Sequence, residues 1–199
     1  MRINEIFESI QGEGKYAGKK VLFIRVSGCT RNCDFCDTKY HKDGKEMSVK
    51  QIIKLINKYK PSIIVWTGGE PLLYEEEILD IRAEVEVNIK HHLETNGDII
   101  PKYKYDYYCV SPKEFKTARN IYNYLIQDTQ YNYDIKVVTD GKEMNKNLIQ
   151  YATMLMPLST YDEEKDKKIK QDVWNLCIIN NLKYCLRQHV EVWGKKKGV

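Results

Sequence analysis

Short apolar runs and amphipathic stretches alternate along the chain. Runs rich in β-branched and aromatic residues predict strands over residues 4–10, 21–26, 63–66, 89–94, 105–110, 134–138 and 153–156. Between these runs, apolar residues at helical spacing predict helices over residues 48–60, 72–82, 115–125 and 163–181. The alternation predicts an α/β fold with a mostly parallel sheet. The last helix is expected to bury Ile169, Val173, Leu176, Cys177 and Asn180.

Polar and glycine-rich segments follow the predicted strands. They include Gln11-Gly12-Glu13-Gly14, Thr67-Gly68-Gly69-Glu70-Pro71, Glu94-Thr95-Asn96-Gly97 and Ser111-Pro112-Lys113. Glycines allow the backbone to turn tightly and to approach a ligand closely. Because active sites in βα folds form where the strands end, these segments predict one site at the carboxyl edge of the sheet.

The second predicted strand leads into three cysteines, Cys29, Cys33 and Cys36, spaced C-x3-C-x2-C. A loop this short cannot pair all three as disulfides. Iron–sulfur clusters normally take four cysteine thiolates, so three would leave one iron open to a small molecule. Two alternatives stay open on the residues alone: a structural Cys3His zinc site that includes His41, and a disulfide scaffold.

Composition narrows the class of protein. The 199 residues suit one domain, 1–199, and the mild net charge of +4 gives no support for a nucleic-acid surface. The chain shows no membrane-spanning apolar run and no signal peptide, so a cytoplasmic protein is expected. Thiols stay reduced there, and Cys109, Cys177 and Cys185 are expected to be buried small hydrophobes.

The motifs together resemble a known family. C-x3-C-x2-C with Phe35 before the last cysteine resembles the radical S-adenosylmethionine (SAM) enzymes. The Q-G-E-G, C-D-T, G-G-E-P, E-T-N-G and S-P-K segments, in this order, are similar to those of 7-carboxy-7-deazaguanine synthases. The resemblance implies an incomplete (βα) barrel of the radical SAM type, with about six mostly parallel strands and a reduced helix set. It also implies a homodimer.

The resemblance further implies a role for particular residues. Cys29, Cys33 and Cys36 would hold a [4Fe-4S] cluster, and Thr38 would bind Mg²⁺, with Asp37 as the local rival ligand. The substrate-binding residues would be Ile10, Gln11, Gly12, Glu13, Gly14, Arg25, Thr67 and His189. The SAM-binding residues would be Gly68, Gly69, Glu70, Glu94, Asn96, Ser111, Pro112, Lys113, Met156 and Pro157. Met156 stands where the family has glutamine, so only backbone contacts are expected there, and Arg187 also departs from the family pattern.

The implied reaction is a radical ring contraction. The cluster would pass an electron to SAM, and the 5′-deoxyadenosyl radical would take a hydrogen atom from 6-carboxy-5,6,7,8-tetrahydropterin. Loss of ammonia would then give 7-carboxy-7-deazaguanine, with SAM regenerated and an external, flavodoxin-like electron donor. Two other functions remain open: an activase that installs a glycyl radical on a partner protein, and a zinc-stapled binding module without catalysis.

Overall fold

The computed structural model describes residues 1–33, 36 and 43–199. Within these ranges nine strands form one sheet in the order β3-β1-β2-β4-β5-β6-β7-β8-β9. The strands are β1 Arg2–Ile10, β2 Lys20–Val26, β3 Lys45–Glu46, β4 Ile63–Gly68, β5 Lys90–Thr95, β6 Tyr107–Val110, β7 Tyr133–Thr139, β8 Met154–Pro157 and β9 Lys183–Tyr184. The helices are α1 Val49–Tyr59, α2 Glu75–Glu84, α3 Phe115–Leu125, α4 Glu163–Asn180 and α5 Gln188–Trp193.

The sheet is parallel from β2 to β9, and only its first edge is antiparallel. β2 pairs with β4 in parallel register, with Leu22 opposite Ile64 and Arg25 opposite Thr67. β1 pairs with β2 as an antiparallel hairpin, and the short β3 pairs with β1. The open, mostly parallel sheet confirms the predicted α/β class. The predicted set of about six parallel strands corresponds to β2 and β4 through β8.

The central strand β4 shows why the sheet is covered on both sides. Ile64, Val65 and Trp66 are fully buried although successive side chains point to opposite faces. Ile64 and Trp66 belong to the main hydrophobic core, which includes Ile52 and Ile56 of α1. Ile64 and Trp66 are therefore packed against α1, and Val65 is equally buried on the opposite face, so the polar groups of a site have room only where the strands end.

Helix α1 forms where its sequence predicts. The Ser48 hydroxyl accepts a hydrogen bond from the Gln51 N–H, and the Gln51 side-chain oxygen accepts one from the Ser48 N–H, which is a capping box. The helix ends at Tyr59, and the cap residue Lys60, whose backbone is left-handed, precedes Pro61.

Other elements differ from the prediction in their detail. The segment predicted as one helix over 72–82 starts as a 3₁₀ turn at Pro71–Tyr74, which continues as α2. In α4, Ile169, Val173 and Cys177 are buried as predicted. Asn180 is exposed, because the last turn of the helix extends beyond the core. The short elements β3, β9 and α5 were not predicted, because so few residues cannot show a period.

The scattered cysteines behave as predicted. Cys109, Cys177 and Cys185 are at most 5% exposed. In the described ranges, no helix combines the length and apolarity that crossing a membrane requires.

Candidate active site

A cavity of about 520 Å³ opens at the carboxyl ends of the parallel strands. Its walls include one strand end after another, from Arg25 on β2 to Pro157 on β8. The residues predicted for the site that line this cavity are Ile10, Gln11, Glu13, Arg25, Cys29, Cys33, Cys36, Thr67, Gly68, Gly69, Glu94, Asn96, Ser111, Lys113, Met156, Pro157 and His189. The fold therefore gathers segments that are far apart in sequence.

Other predicted residues lie elsewhere. Gly12 supports the wall from behind: its carbonyl accepts a bond from the Gln188 N–H at 2.9 Å. A Cβ at this glycine would lie 2.6 Å from His189 Nδ1. Gly14 has a φ of +69°, and its N–H donates to Cys185 Sγ at 3.1 Å. Pro112 is buried outside the cavity lining, and Thr38 lies outside the described residues, as do Asp37 and His41.

The cysteine-bearing segment, residues 28–33 together with residue 36, is called the thiol loop below. Its three thiols are partly exposed and line the same cavity. Among residues 1–33, 36 and 43–199, no three Cys, His, Asp or Glu side chains converge as they would around a single metal ion. A cluster does not need such convergence, because each thiolate binds a different iron atom. The donor set and its position therefore fit an iron–sulfur cluster.

The thiol loop packs directly on the segment that follows β4. The Glu70 N–H donates to the Gly28 carbonyl at 2.8 Å, and the Gly69 N–H donates to the Val26 carbonyl at 3.1 Å. A Cβ at Gly69 would lie 1.7 Å from the Gly28 oxygen. Only glycine allows this approach, so the G-G-E-P segment and the cysteines form one structural unit.

Glu70 holds two strand ends together from behind the cavity. Its carboxylate accepts bonds from Thr95 Oγ1 at 2.8 Å, from the Asn96 N–H at 2.9 Å and from the Leu72 N–H at 3.2 Å. Burial raises the pKa of Glu70 to about 6, although these three bonds work in the opposite direction. The structure gives Glu70 a positioning role, and its contact with SAM stays a prediction.

The cavity also contains a charged group whose cation, Lys136, the sequence analysis did not assign. Lys136 on β7 is 4% exposed, and its ammonium donates to Glu13 Oε2 at 2.5 Å and to Glu94 Oε2 at 3.1 Å. Gln11 Nε2 donates to the other Glu94 oxygen at 3.2 Å. A lysine inside the apolar run of β7 was the available signal, since buried lysines are paired.

The charges in this group depend on one another. Burial raises the pKa of Glu94, which Lys136 partly offsets. Burial works to lower the pKa of Lys136, but the neighbouring Cys109, Glu13 and Glu94 raise it well above its ordinary value. Lys136 therefore stays an ammonium. Because one ammonium faces two carboxylates, the group has acceptor oxygens to spare and favours a ligand that donates hydrogen bonds.

Arg25 occupies another wall of the cavity. Glu5 lies directly opposite on β1 and accepts a bond from Arg25 Nε at 3.3 Å. Beside this pair, the stacked rings of Phe7 and Phe23 are 5.2 Å apart and also line the cavity. The wall thus combines a cation with an aromatic surface. On the wall formed by the end of β6, Lys113 Nζ donates to Ser111 Oγ at 2.7 Å.

Comparison with known proteins identifies the class first. Residues 23–113, which include the thiol loop and the ends of β4, β5 and β6, match the radical SAM superfamily. The crystal structure of QueE from Escherichia coli superposes with a TM-score of 0.71 at 21% identity and covers 94% of each chain. SuiB from Streptococcus suis superposes with a TM-score of 0.55 at 15% identity, over 82% of this chain and 47% of SuiB. The protein is thus a radical SAM enzyme with the incomplete barrel that its sequence predicts.

Relatives along the whole chain define the family within that class. The 7-carboxy-7-deazaguanine synthase of Halobacterium salinarum is 30% identical over 96% of this chain and 90% of its own length. The one from Buchnera aphidicola is 31% identical over 94% of this chain and 95% of its own length. A more similar match, 40% identical to the Hyperthermus butylicus enzyme, spans 57% of this chain and 52% of that relative. The chain belongs to the 7-carboxy-7-deazaguanine synthase family.

Proposed function

We propose that this protein converts 6-carboxy-5,6,7,8-tetrahydropterin into 7-carboxy-7-deazaguanine and ammonia, a step toward 7-deazapurines such as the queuosine precursors. The observation that carries the proposal is the single cavity that brings the three thiols to the same strand edge as Gln11, Glu13 and Arg25. Full-length similarity to the named synthases supports it. A glycyl-radical activase would not need Gln11, Glu13 and Arg25, which are predicted to bind the pterin and which line this cavity.

Cys29, Cys33 and Cys36 would hold the [4Fe-4S] cluster, and their position in the cavity wall supports this assignment. SAM would lie against the segment after β4 and the wall near Ser111 and Lys113, where backbone and polar groups line the cavity. The bound cluster and SAM supply one-electron reduction and hydrogen-atom abstraction. The protein's own contribution is to bind and orient the substrate and to exclude water.

Arg25 would bind the carboxylate of the pterin. A planar guanidinium offers two parallel N–H groups to a carboxylate, and Glu5 holds the side chain by its Nε. The adjacent Phe7 and Phe23 offer an apolar surface for a flat ring.

Glu94 is assigned here to the substrate rather than to SAM. Its two oxygens accept bonds from Gln11 and Lys136, so it belongs to the same group as Glu13. An aminopyrimidinone ring presents N–H donors along one edge, and a pair of carboxylates is a matching acceptor. Arg25 and this group would then bind different parts of one substrate.

The remaining parts of the proposal concern partners and location. Thr38 would supply a hydroxyl ligand to Mg²⁺, because magnesium prefers hard oxygen donors. The protein would act in the cytoplasm as a homodimer of single radical SAM domains, residues 1–199, reduced by a flavodoxin-like donor. The free thiols favour a reducing compartment. The magnesium ion, the dimer and the donor are proposed from the motif resemblance alone.

Turnover tests the proposal. The protein is reconstituted with iron and sulfide without oxygen and then given SAM, a reductant, Mg²⁺ and 6-carboxy-5,6,7,8-tetrahydropterin. Mass spectrometry should detect 7-carboxy-7-deazaguanine. The variant Arg25→Met should need about 10- to 100-fold more pterin, the range for losing a charge-assisted bond of about 1.5–3 kcal/mol. Arg119→Met, on the exposed face of α3, is the matched control. Accumulation of 5′-deoxyadenosine without the deazapurine would contradict the substrate assignment.

A further inference from the structure

An arginine inside the thiol loop forms a clamp to the neighbouring strand end. Arg31 lies midway between Cys29 and Cys33. Its Nε and Nη2 donate to the two oxygens of Asp98 at 2.7 and 2.5 Å, and Nη2 also donates to Glu114 Oε1 at 2.8 Å. A bidentate arginine–carboxylate pair fixes both distance and orientation, so the loop is tied to the end of β5 and to the start of α3.

The acceptor of this clamp is itself held in place. The Asp98 N–H donates to Asn96 Oδ1 at 2.9 Å. Its carboxylate also accepts bonds from Thr30 Oγ1 at 2.7 Å and from Thr117 Oγ1 at 3.1 Å. The side chains of Arg31 and Asp98 are 21% and 17% exposed, so solvent screens the pair only partly.

A second tether reaches the first cysteine. Asn96 Nδ2 donates to Thr30 Oγ1 at 2.9 Å and lies 3.7 Å from Cys29 Sγ. The Asn96 N–H is in turn bonded to the buried carboxylate of Glu70. The first half of the thiol loop is therefore held at two points by side chains that are not thiols.

The conformation of the thiol loop in the metal-free protein affects how readily a cluster binds. If the loop is flexible, cluster binding has to fix its backbone. Fixing a flexible backbone opposes binding, and contacts already present in the free protein remove that opposition. Substituting a residue that orients a metal ligand through a hydrogen bond typically costs about 10- to 100-fold in metal affinity.

We propose that Arg31 and Asp98 are positioning residues that hold the segment between Cys29 and Cys33 in place before the iron–sulfur cluster is inserted. The proposal rests on the proposed function only in requiring that the thiol loop holds a cluster. It assigns no contact with the pterin or with SAM to either residue.

The first test uses the metal-free protein. Iodoacetamide labels Cys29 and Cys33 while mass spectrometry follows each site. In Arg31→Met both sites should react about tenfold faster, as expected when a charge-assisted hydrogen-bond pair is lost. Arg31→Lys should restore part of the protection, because lysine keeps the charge but not the two-pronged geometry. Arg82→Met removes an arginine that donates to the Lys104 carbonyl, and it should react like the unaltered protein.

The second test measures loss of iron from the reconstituted protein to a chelator. Arg31→Met and Asp98→Asn should lose iron about tenfold faster, while Arg82→Met should not. Asp98→Asn keeps the shape of the side chain. If Arg31→Met does not fold, both measurements can therefore be made on Asp98→Asn alone. Unchanged labelling in both clamp variants overturns the proposal. If the clamp variants label faster but the unaltered protein does not convert the pterin, the proposed substrate is rejected and the proposed role of Arg31 and Asp98 still holds.

Discussion

Lys136 is the residue on which the charge balance of the inner cavity depends. It is 4% exposed and lies between Glu13 and Glu94, which are themselves largely buried. A buried ion pair contributes little net stability, but removing one partner leaves the others uncompensated. The effect of substitution is therefore expected to be large and to be relieved by a second substitution.

Lys136→Met should destabilise the protein by about 3–5 kcal/mol, the range for breaking a buried pair. Urea unfolding of the metal-free protein measures this directly. Adding Glu13→Gln to the same variant should recover part of the loss, since one fewer carboxylate then lacks a cation. A loss below about 1 kcal/mol would show that water already compensates these carboxylates.

Single residues also show where sequence reasoning stops. The cysteines, Arg25 and Gln11 could be assigned because each belongs to a local motif or to a position relative to one. The partners of Lys136 and Arg31 could not be assigned, because these contacts join residues more than forty positions apart. Such pairing depends on strand order and register, which no local pattern contains.

At the scale of elements, the segment after β4 and the thiol loop act as one unit. Gly69 is the point of closest approach, and its missing Cβ leaves room for the Gly28 carbonyl. The thiols therefore depend on the backbone of a neighbouring strand as well as on their own loop.

Gly69→Ala should displace the thiol loop, because the new Cβ would lie 1.7 Å from the Gly28 oxygen. We expect reconstituted protein to retain well under half of the iron of the unaltered chain. Iron and sulfide analysis after desalting provides the measurement. Gly198→Ala, where a Cβ would meet open space and only the φ of +68° opposes a side chain, is the control. Full iron content in Gly69→Ala would mean that the two segments move independently.

The longer helices and strands were predicted correctly from the sequence, whereas the shortest ones were missed. Helix α1 and strand β4 follow from a capping box and an apolar run, and both lie where expected. Strand β9 and helix α5 were missed because their few residues adopt these structures only against β8 and the Gly12 segment. Tertiary contact, rather than local propensity, determines them.

For the whole molecule, two adjacent buried histidines should determine stability in acid. His91 Nδ1 accepts a bond from Trp66 Nε1 at 3.0 Å, which requires an unprotonated nitrogen. Burial lowers the pKa of both His91 and His92 from 6.5 to about 4. In the unfolded chain the two histidines therefore become protonated below about pH 6.5, whereas in the folded chain they stay neutral until about pH 4.

This difference predicts that stability is fully present above pH 6.5 and falls as the pH drops toward 4. Each histidine should contribute a loss of about 3 kcal/mol, from about 1.4 kcal/mol per pKa unit. Glu70 acts in the opposite direction between about pH 6 and 4.5, because its pKa is raised in the folded state. Urea unfolding at a series of pH values tests this, and His92→Phe should weaken the dependence by roughly half. An unchanged slope in that variant would contradict the assignment.

The central claim is that three cysteines hold an iron–sulfur cluster whose remaining iron is open to SAM. Electron paramagnetic resonance of the reduced, air-free protein, recorded before and after addition of SAM, tests it most directly. A [4Fe-4S] signal that changes shape when SAM is added, and that is lost in Cys33→Ser, is the predicted result. A colourless zinc protein, or an iron signal that SAM leaves unchanged, would contradict the claim.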